Sequence, residues 1–251
     1  MKILLIGDTH GNFPFISEVP LFWSRADQWD HAVVLGDFGY WPHKERGRLF
    51  LSNLSKHMQR IGKELHFVDG NHENHDDLEA LEQTVPRDAL GAIEVAPLIK
   101  WLPRGTYWNW GGLDFLAVGG AHSIDKRFRT IGESWWAQET LTDAQVSAIV
   151  QDTRPVDVML AHDCTSHFPG LMEFEEDFEG KINRQLLGNI IAARQPELMF
   201  HGHMHKFKHY RHNNTQVFGL AADVNFTWTY GILDTEAFTF KMPGHLFNLH
   251  K

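Results

Sequence analysis

Five short segments of the sequence place carboxylate, amide and imidazole side chains directly after apolar runs. The candidate metal ligands in these segments are Asp8, His10, Asp37, Asn71, His162, His203 and His205. Such a mixture of oxygen and nitrogen donors suits divalent Mn, Fe or Zn and is too rich in nitrogen for a dedicated calcium site. The donors outnumber the needs of one ion, so the sequence favours two ions about 3.5–4 Å apart that share one carboxylate.

The spacing inside these segments supports the same interpretation. Two of them carry donors two positions apart, at 8 and 10 and at 203 and 205, so an extended backbone would point both donors of a pair to one side. Glycines at 7, 11, 36, 70 and 202 would let the chain turn sharply beside the ions. Taken singly, most of these segments are better explained as a plain turn, a helix cap or a core histidine. The repetition at five strand ends favours a site.

The elements that must position these donors are buried strands at 2–6, 32–35, 65–68, 156–161 and 197–200. Helical spacing of apolar residues predicts helices at 15–27 and 45–62 between the first three strands. This alternation predicts a parallel sheet with right-handed crossovers. Loops that follow parallel strands meet at one edge of the sheet, so the donors are expected to converge there.

The rest of the chain has a different pattern. Tight-turn residues predict antiparallel strands at 98–102, 106–110 and 113–118, followed by helices at 142–151, with Thr142 as N-cap, and at 181–194. Further strands are predicted at 206–211, 215–222, 227–233 and 237–241, and the acidic run 173–179 is predicted to be a surface loop. Together these elements predict an α/β fold of two packed sheets flanked by helices, formed by residues 1–251 as a single domain.

Composition limits the function classes. The formal net charge of −9 argues against a protein that binds long nucleic acid through its overall field. Small phosphorylated substrates remain compatible, because bound cations reverse the sign locally. The single cysteine, Cys164, excludes an intrachain disulfide and fits a reducing compartment. No apolar run approaches the roughly 18 residues of a membrane span, so no membrane contact and a cytoplasmic location are predicted.

Five blocks of the sequence, in chain order, resemble those of the calcineurin-like metallophosphoesterase superfamily. They are Gly7-Asp8-Thr9-His10-Gly11-Asn12, Gly36-Asp37, Gly70-Asn71-His72-Glu73, His162-Asp163 and Gly202-His203-Met204-His205. The resemblance spans residues 7 to 205 and implies a two-sheet β-sandwich flanked by helices, the fold of that family, in agreement with the pattern of strands and helices.

The resemblance also implies a role for each residue. The ligands of one ion would be Asp8, His10 and His205. The ligands of the second ion would be Asn71, His162 and His203. Asp37 would bridge the two ions, and His72 would contact the phosphate and protonate the leaving oxygen as general acid, worth about 10²–10⁴ in rate. Two divalent ions, with Mn favoured over Fe, Zn, Co or Ni, would generate a bridging hydroxide that attacks phosphorus.

The second block departs from the protein Ser/Thr phosphatases of the superfamily. There the block continues as Gly-Asp-x-Val-Asp-Arg-Gly, whereas here Tyr40 stands in place of the second Asp and Trp41 in place of the phosphate-binding Arg. This weighs against a protein phosphatase and favours a phosphodiester, with a phosphomonoester also open, in a small nucleotide-like substrate. It leaves the residue that orients His72 open, with Asp163 and Tyr40 as candidates.

The segment 119–129 resembles stretches of bacterial and phage members of the superfamily. It is rich in cations and supplies three candidate substrate-binding residues, His122, Arg127 and Arg129. The alternative is a loop packed by its own tryptophans, with its arginines in salt bridges. Asp223 and Asn225 follow a late strand and are assigned no role. Two other function classes remain open at this point: a non-catalytic scaffold that binds a partner, and a metal-dependent hydrolase of a non-phosphate bond.

Overall fold

The computed structural model describes residues 1–25, 28–171, 178–225 and 227–249. These residues form two β-sheets that pack face to face, with helices on their outer faces. The predicted α/β fold of two sheets flanked by helices is therefore confirmed. The parallel strands of both sheets end at the same side of the molecule, and this shared edge positions the candidate site.

The first sheet has eight strands among the described residues. In chain order they are β1 (Lys2–Ile6), β2 (His31–Leu35), β3 (Leu65–Val68), β4 (Ile93–Ala96), β5 (Ile99–Trp101), β12 (Tyr230–Asp234), β13 (Thr239–Met242) and β14 (His245–Asn248). In space they lie in the order β14-β13-β12-β1-β2-β3-β5-β4. The four in the middle, β1, β2, β3 and β5, run parallel, and the outer strands pair antiparallel.

The second sheet has six strands within the described ranges. They are β6 (Tyr107–Trp110), β7 (Leu113–Val118), β8 (Val158–Ala161), β9 (Leu198–His201), β10 (Lys208–His212) and β11 (Thr215–Gly219). Their spatial order is β10-β11-β9-β8-β7-β6. The strands β7, β8, β9 and β11 run parallel, so this sheet also collects several strand ends at one edge.

The α-helices of the described residues are α1 (Phe13–Glu18), α2 (Pro20–Trp23), α3 (Glu45–Ile61), α4 (His75–Thr84), α5 (Asp143–Gln151) and α6 (Phe178–Arg194). The single helix predicted at 15–27 is wrong: α1 ends at Glu18, because Pro20 has no N–H with which to continue it. Residues 26 and 27 of that prediction lie outside the described residues. α5 begins as predicted, at a capping box formed by Thr142 and Gln145.

Apolar side chains form one layer between the sheets and one on each outer face. The inter-sheet layer joins Leu5 and Val33 of the first sheet to Phe115 and Phe200 of the second. On the outer faces, α1 and α3 cover the first sheet, and α5 and α6 cover the second. Because β2, β3, β8 and β9 are covered on both faces, they are apolar without alternation, as the sequence indicated.

Three elements have no counterpart in the sequence predictions: α4, β4 and β14. Their apolar content is low or mixed, so no clear periodicity identifies them. The predicted acidic surface loop at 173–179 lies largely outside the described residues, and its last two residues begin α6. Among the described helices, none combines the length and the apolarity needed to cross a bilayer.

Candidate metal centre

The candidate ligands lie in loops that follow five parallel strands. Asp8, Asp37 and Asn71 follow β1, β2 and β3 of the first sheet, while His162 and His203 follow β8 and β9 of the second. The two sheets therefore bring their donors to a common place from opposite sides. Four of these donors are almost completely buried: Asp8, Asp37, Asn71 and His162. Polar groups are rarely buried to this extent unless they are paired with each other or bind a metal ion.

One group of donors is compact. Asp8, His10, Asp37 and His205 each offer a ligand atom, and these atoms all lie within 4.8 Å of one another. His205 Nε2 lies 3.0 Å from Asp8 Oδ2, and His10 Nε2 lies 3.5 Å from Asp37 Oδ2. The backbone N–H of His203 donates to Asp8, which holds this carboxylate in place. The group has the composition of a site for a divalent cation.

A second group adjoins the first through Asp37. His162 Nε2 lies 3.1 Å from Asn71 Oδ1 and 3.4 Å from Asp37 Oδ1. His162 Nδ1 donates to the carbonyl of Leu35 at 2.7 Å, which turns Nε2 toward the two oxygens. The ring of His203 packs edge-on against that of His162, with centroids 5.1 Å apart. Asp37 thus directs one oxygen toward each group.

Electrostatics shows that these donors fit cations. Burial favours the neutral acid, yet the charge of His162 and the hydrogen bonds from His10 and His162 hold the pKa of Asp37 well below its usual range, so this carboxylate is ionised. Burial would lower the pKa of His162, but Asp37 and Asp8 raise it to about 10. With a proton on His162, the lone pair that faces Asn71 and Asp37 is replaced by a positive charge. A bound divalent ion satisfies the same three groups without that proton.

Backbone conformation marks the same residues. Four non-glycine residues at the centre have positive φ: His10 (45°), Asp37 (45°), His203 (63°) and His205 (52°). Such conformations are unfavourable for residues with a Cβ and cluster at functional sites. Gly202 is needed for a different reason, since a Cβ there would overlap Asp8 Oδ1. Of the glycines expected to turn the chain, Gly36 does so with φ of 88°, whereas Gly202 permits close approach.

His72 lies at the edge of the two donor groups. Its backbone N–H donates to Asp37 Oδ1 at 2.9 Å, and its Nε2 lies 3.8 Å from Asp37 Oδ2. Asn71 Nδ2 and Arg129 Nη2 both approach the same Nε2, at 3.2 and 3.1 Å. Burial lowers the pKa of His72, and the charge of Arg129 lowers it further, against the opposing effect of Asp37. The ring is thereby kept neutral in this state.

Neither sequence candidate for orienting His72 contacts it. Tyr40 is buried in the layer under α3, beside Phe67, and burial raises its pKa to about 12. Asp163 accepts from Asn183 Nδ2 at 2.7 Å and from the backbone of Cys164. Both expectations are therefore wrong. Arg129 is the cation that contacts the His72 ring, and Asp125 holds it with two hydrogen bonds of 2.6 and 2.7 Å.

The other two candidates of segment 119–129 occupy different positions. His122 lines the cavity beside the centre, with Nδ1 3.4 Å from Glu139 Oε1. Arg127 is exposed, and its guanidinium lies over the ring of Phe128 at 4.7 Å. Of the two arginines only Arg129 thus reaches His72. The alternative of a loop packed by its own tryptophans also applies in part, because Trp136, a few residues after this segment, is buried and donates to Asp76.

The structure adds a carboxylate that was assigned no role. Asp223 Oδ1 lies 2.8 Å from His10 Nδ1, and its Oδ2 accepts from Asn12 Nδ2 at 2.8 Å. This contact fixes the ring so that Nε2 faces Asp37. Burial lowers the pKa of His10, but the hydrogen bonds that the ring donates to Asp223 and Asp37 raise it to about 11. Donors in loops that follow parallel strands meet at one edge of the sheet, which we call the strand-end rule. Asp223 follows β11, which is parallel to β9, so the same rule applied to β11 would have found it.

Two cavities flank the centre. One, of about 410 Å³, opens between Asn71, His203 and the loop after β7, and its farther wall contains Leu171, Arg184 and Lys206. The other, of about 250 Å³, lies between His10 and Arg129. Trp41 lines this smaller cavity and donates its indole N–H to the carbonyl of His72. His72 lines both cavities.

A family model described as calcineurin-like phosphoesterase matches residues 1–207 of the sequence. The chain belongs to the calcineurin-like phosphoesterase family. Calcineurin-like phosphoesterases are hydrolases with a binuclear centre of divalent metal ions, and the compact donor group of this chain is a possible site for such an ion. Among curated proteins, no significant sequence match was found.

Solved structures share the fold of this calcineurin-like phosphoesterase at low sequence identity. The protein TT1561 of Thermus thermophilus superposes with a TM-score of 0.57 and 13% identity over 99% of both chains. A candidate 5′-nucleotidase from Staphylococcus aureus gives 0.51 and 15% over 100% of this chain and 54% of that one. GAP50, the anchor in the inner membrane complex of Plasmodium, gives 0.53 and 10% over 100% and 90%. At these identities the likeness establishes the fold alone.

Proposed function

We propose that this protein is a binuclear-metal phosphodiesterase that acts on small, nucleotide-like substrates. The observation that carries the proposal is the position of Asp37, which directs one carboxylate oxygen toward each of two donor groups. A carboxylate shared between two donor sets can hold two ions close enough together for two-metal hydrolysis of a phosphate ester. A phosphomonoester is a further possible substrate of the same chemistry.

The donor groups define the metal ligands of the proposal. The first ion would be held by Asp8, His10 and His205. The second ion would be held by Asn71, His162 and His203. Asp37 would bridge them, and Mn²⁺ suits this donor set, with Fe, Zn, Co or Ni as alternatives. When bound, the ions supply Lewis acidity toward the phosphoryl oxygens and an activated water as nucleophile.

His72 is the proposed general acid. In the described state Arg129 donates to Nε2, so this nitrogen carries no proton. A phosphate group placed beside the ions offers Arg129 a better acceptor than a neutral ring, because charge-assisted hydrogen bonds are the stronger ones. Arg129 would then bind the phosphate, and Nε2 would be free to carry the proton that passes to the leaving oxygen.

The larger cavity supports the proposed substrate class. Its wall combines cationic side chains, Arg184 and Lys206, with apolar ones, Leu171 and Met204. This combination suits a ligand with both a charged and a flat apolar part, which a nucleotide has. Trp41 stands where protein phosphatases carry an arginine, so a diester with fewer charges than a monoester is the favoured substrate. His122 is the proposed substrate contact in this cavity.

A scaffold role is the competing function, and GAP50 is an anchor with this fold. A scaffold has no need to bury ionised carboxylates against histidines or to maintain four strained non-glycine residues at one place. The position of the His72 ring, with Nε2 3.8 Å from Asp37 Oδ2 at the edge of both donor groups, also favours an enzyme. A protein phosphatase is disfavoured by Tyr40 and Trp41.

The proposal includes the extent of the domain. Residues after the family match contribute β12, which pairs with β1, and Asp223, which supports His10. We therefore take residues 1–251 to form one metallophosphoesterase domain. A cytoplasmic location is proposed on the ground that the single cysteine, Cys164, is a buried free thiol.

The test is hydrolysis of bis-p-nitrophenyl phosphate beside p-nitrophenyl phosphate by metal-stripped protein, with and without Mn²⁺. Turnover should depend on the metal, favour the diester, and fall about 10²–10⁴-fold in His72→Ala. His245→Ala, at an exposed position of β14, is the matched control and should keep full activity. Absence of turnover with Mn²⁺, Fe²⁺, Co²⁺ and Zn²⁺, on both compounds and on dinucleotides, would refute the proposal.

A further inference from the structure

The side chain of Asn71 has two ends of similar shape and opposite chemistry. Only the carbonyl oxygen can bind a cation, because the NH₂ group has no lone pair available for one. In the structure Oδ1 faces His162 and Asp37, while Nδ2 points away from them. A rotation by half a turn about the last bond would place two N–H groups against the same donors. Some contact must therefore select one orientation.

His72 Nε2 lies 3.2 Å from the same Asn71 Nδ2, but in the proposed reaction this ring nitrogen must carry a proton, so the lasting selection comes from Ser123. Its Oγ accepts a hydrogen bond from Asn71 Nδ2 at 2.9 Å and donates one to Glu139 Oε2 at 2.7 Å. The serine hydroxyl has a single proton, and a carboxylate accepts but does not donate. With that proton directed at Glu139, the hydroxyl offers only a lone pair to Asn71. The NH₂ end of the amide fits there and the oxygen end does not.

Glu139 is held rigidly enough to impose this direction. It is 1% exposed, and its second oxygen, Oε1, accepts from the backbone N–H of Ser123 at 2.9 Å. Its own carbonyl accepts from Ala121 and from Arg104. Arg104 also donates to Asp69, two residues before Asn71, at 2.8 Å. The loop that carries the ligand and the segment that carries Glu139 are therefore anchored on the same guanidinium.

We propose that Ser123, directed by Glu139, is the positioning residue that turns the oxygen of Asn71 toward the second metal ion. The inference depends on the second donor group of the proposed function. It assigns a role to the serine of segment 119–129, which lies 52 positions from its partner in the chain. Partners that orient a metal ligand are worth about 10–100-fold in metal affinity, so the effect is measurable.

The first experiment measures metal binding without turnover. Metal-stripped wild type and Ser123→Ala are dialysed against a series of Mn²⁺ concentrations, bound metal is counted, and electron paramagnetic resonance distinguishes a coupled pair from a single ion. Wild type should bind two ions as a coupled pair. Ser123→Ala should lose affinity for one ion by about 10–100-fold. The ion it retains should give the single-ion spectrum of His162→Ala.

A second variant separates orientation from general damage. A carboxylate has no wrong end, so Asn71→Asp needs no selecting partner. In the Asn71→Asp background, Ser123→Ala should weaken binding of the second ion less than about 3-fold, well short of the range for lost ligand orientation. Ser55→Ala removes another buried serine hydroxyl, one that donates to the carbonyl of Pro97, and should leave both ions bound.

Each result decides the inference. It is supported if Ser123→Ala weakens one ion selectively and Asn71→Asp abolishes that sensitivity. It is overturned if both ions keep their affinity in Ser123→Ala, if both weaken together, or if the loss is as large in the Asn71→Asp background. Two coupled ions without any hydrolysis would refute the proposed function and leave this inference standing. A wild type that binds no ions would refute both.

Discussion

Histidines lie at both ends of the parallel strands, and at one end two of them face buried carboxylates. Where the strands end, His10 and His162 face buried carboxylates, and their pKa values are raised to about 11 and about 10 despite burial. Where β2 and β3 begin, His31 stacks on Trp110 with centroids 4.3 Å apart. His66, beside it, is fully buried, and burial lowers its pKa to about 3.

The difference lies in the neighbours. At the end with the candidate metal centre, which we call the metal edge, histidines meet the carboxylates of Asp8 and Asp37, and these pair with no lysine or arginine among the described residues. At the opposite edge, the carboxylates of Glu64 and Asp88 both pair with Lys100, at 2.8 and 2.9 Å. The positive charge at the metal edge therefore resides on imidazoles, which can exchange a proton for a metal ion, whereas the ammonium group at the opposite edge has no lone pair for one. The number of histidines at an edge therefore does not indicate whether that edge binds a metal ion.

The largest effect is expected for Asp37→Asn, which removes the shared charge at the metal edge. Mn²⁺ at about 100 times its Kd should stabilise the stripped wild type by about 2.7 kcal/mol. The variant should lose this stabilisation, and kcat/KM should fall by more than about 10³-fold, as charge stabilisation at the reacting phosphate is lost. Thermal unfolding with and without metal and steady-state kinetics measure both. Asp88→Asn at the opposite edge should keep the metal response; if it does not, the two edges are not distinct.

The next effect concerns the cation that contacts His72. Arg129→Ala should lower kcat/KM by about 10–100-fold, corresponding to the roughly 1.5–3 kcal/mol of a charged hydrogen bond. Metal content should be unchanged, because Arg129 contacts His72 and Asp125 rather than a ligand of the first ion. Arg127→Ala is the matched variant and should be active, since Arg127 is exposed over Phe128. Equal losses in both variants would contradict the role of Arg129.

His66, at the opposite edge, should contribute to the loss of stability at acid pH. The folded-state pKa of His66 is depressed, so between pH 6.5 and about 3 the unfolded chain binds a proton there that the folded protein does not. Stability is full above pH 6.5 and falls as the pH drops through this window, by about 1.4 kcal/mol per pH unit. In metal-stripped protein, urea unfolding at pH 6.5 and 4.5 should show a smaller loss for His66→Leu than for wild type. Parallel pH profiles for the two proteins would exclude His66 as the cause.

The smallest effect is expected for the ion pairs of Lys100. Glu64 and Asp88 are both about one-third exposed, so solvent screens these pairs. Lys100→Met should destabilise the protein by less than about 1 kcal/mol, and salt should reduce the difference. Urea unfolding at low and high ionic strength measures it. A loss of several kcal/mol that salt does not reduce would show that this edge depends on charge as strongly as the metal edge does.

The strand-end rule accounts for what the sequence could predict. Strands β1, β2, β3, β8 and β9 are continuous apolar runs, and each is followed by a polar residue whose place is fixed once the sheet is parallel. The two-sheet fold followed from the same runs. The division at Pro20 was also readable, since proline cannot continue a helix, and the prediction of one helix there ignored it.

The remainder depends on contacts between distant segments. Ser123 meets Asn71 across 52 positions and Arg129 meets His72 across 57, through a loop whose path no periodicity records. Arg127 and Arg129 are equivalent in sequence, and only the turn at Lys126–Phe128 decides which of them faces the centre. Asp163 was a reasonable partner for His72 by proximity to a ligand, but Asn183 of α6 engages it instead.

The pairing of β1 with β12 sets an order on synthesis of the chain. Lys2 to Ile6 pair with Tyr230 to Asp234, so this edge of β1 stays open until the much later strand β12 has been synthesised. At about 5–20 residues per second, a nascent chain passes at least ten seconds with β1 lacking this neighbour. An exposed apolar edge strand can pair with other chains and cause aggregation. A chaperone that binds the nascent chain at the ribosome should therefore improve the yield of this protein.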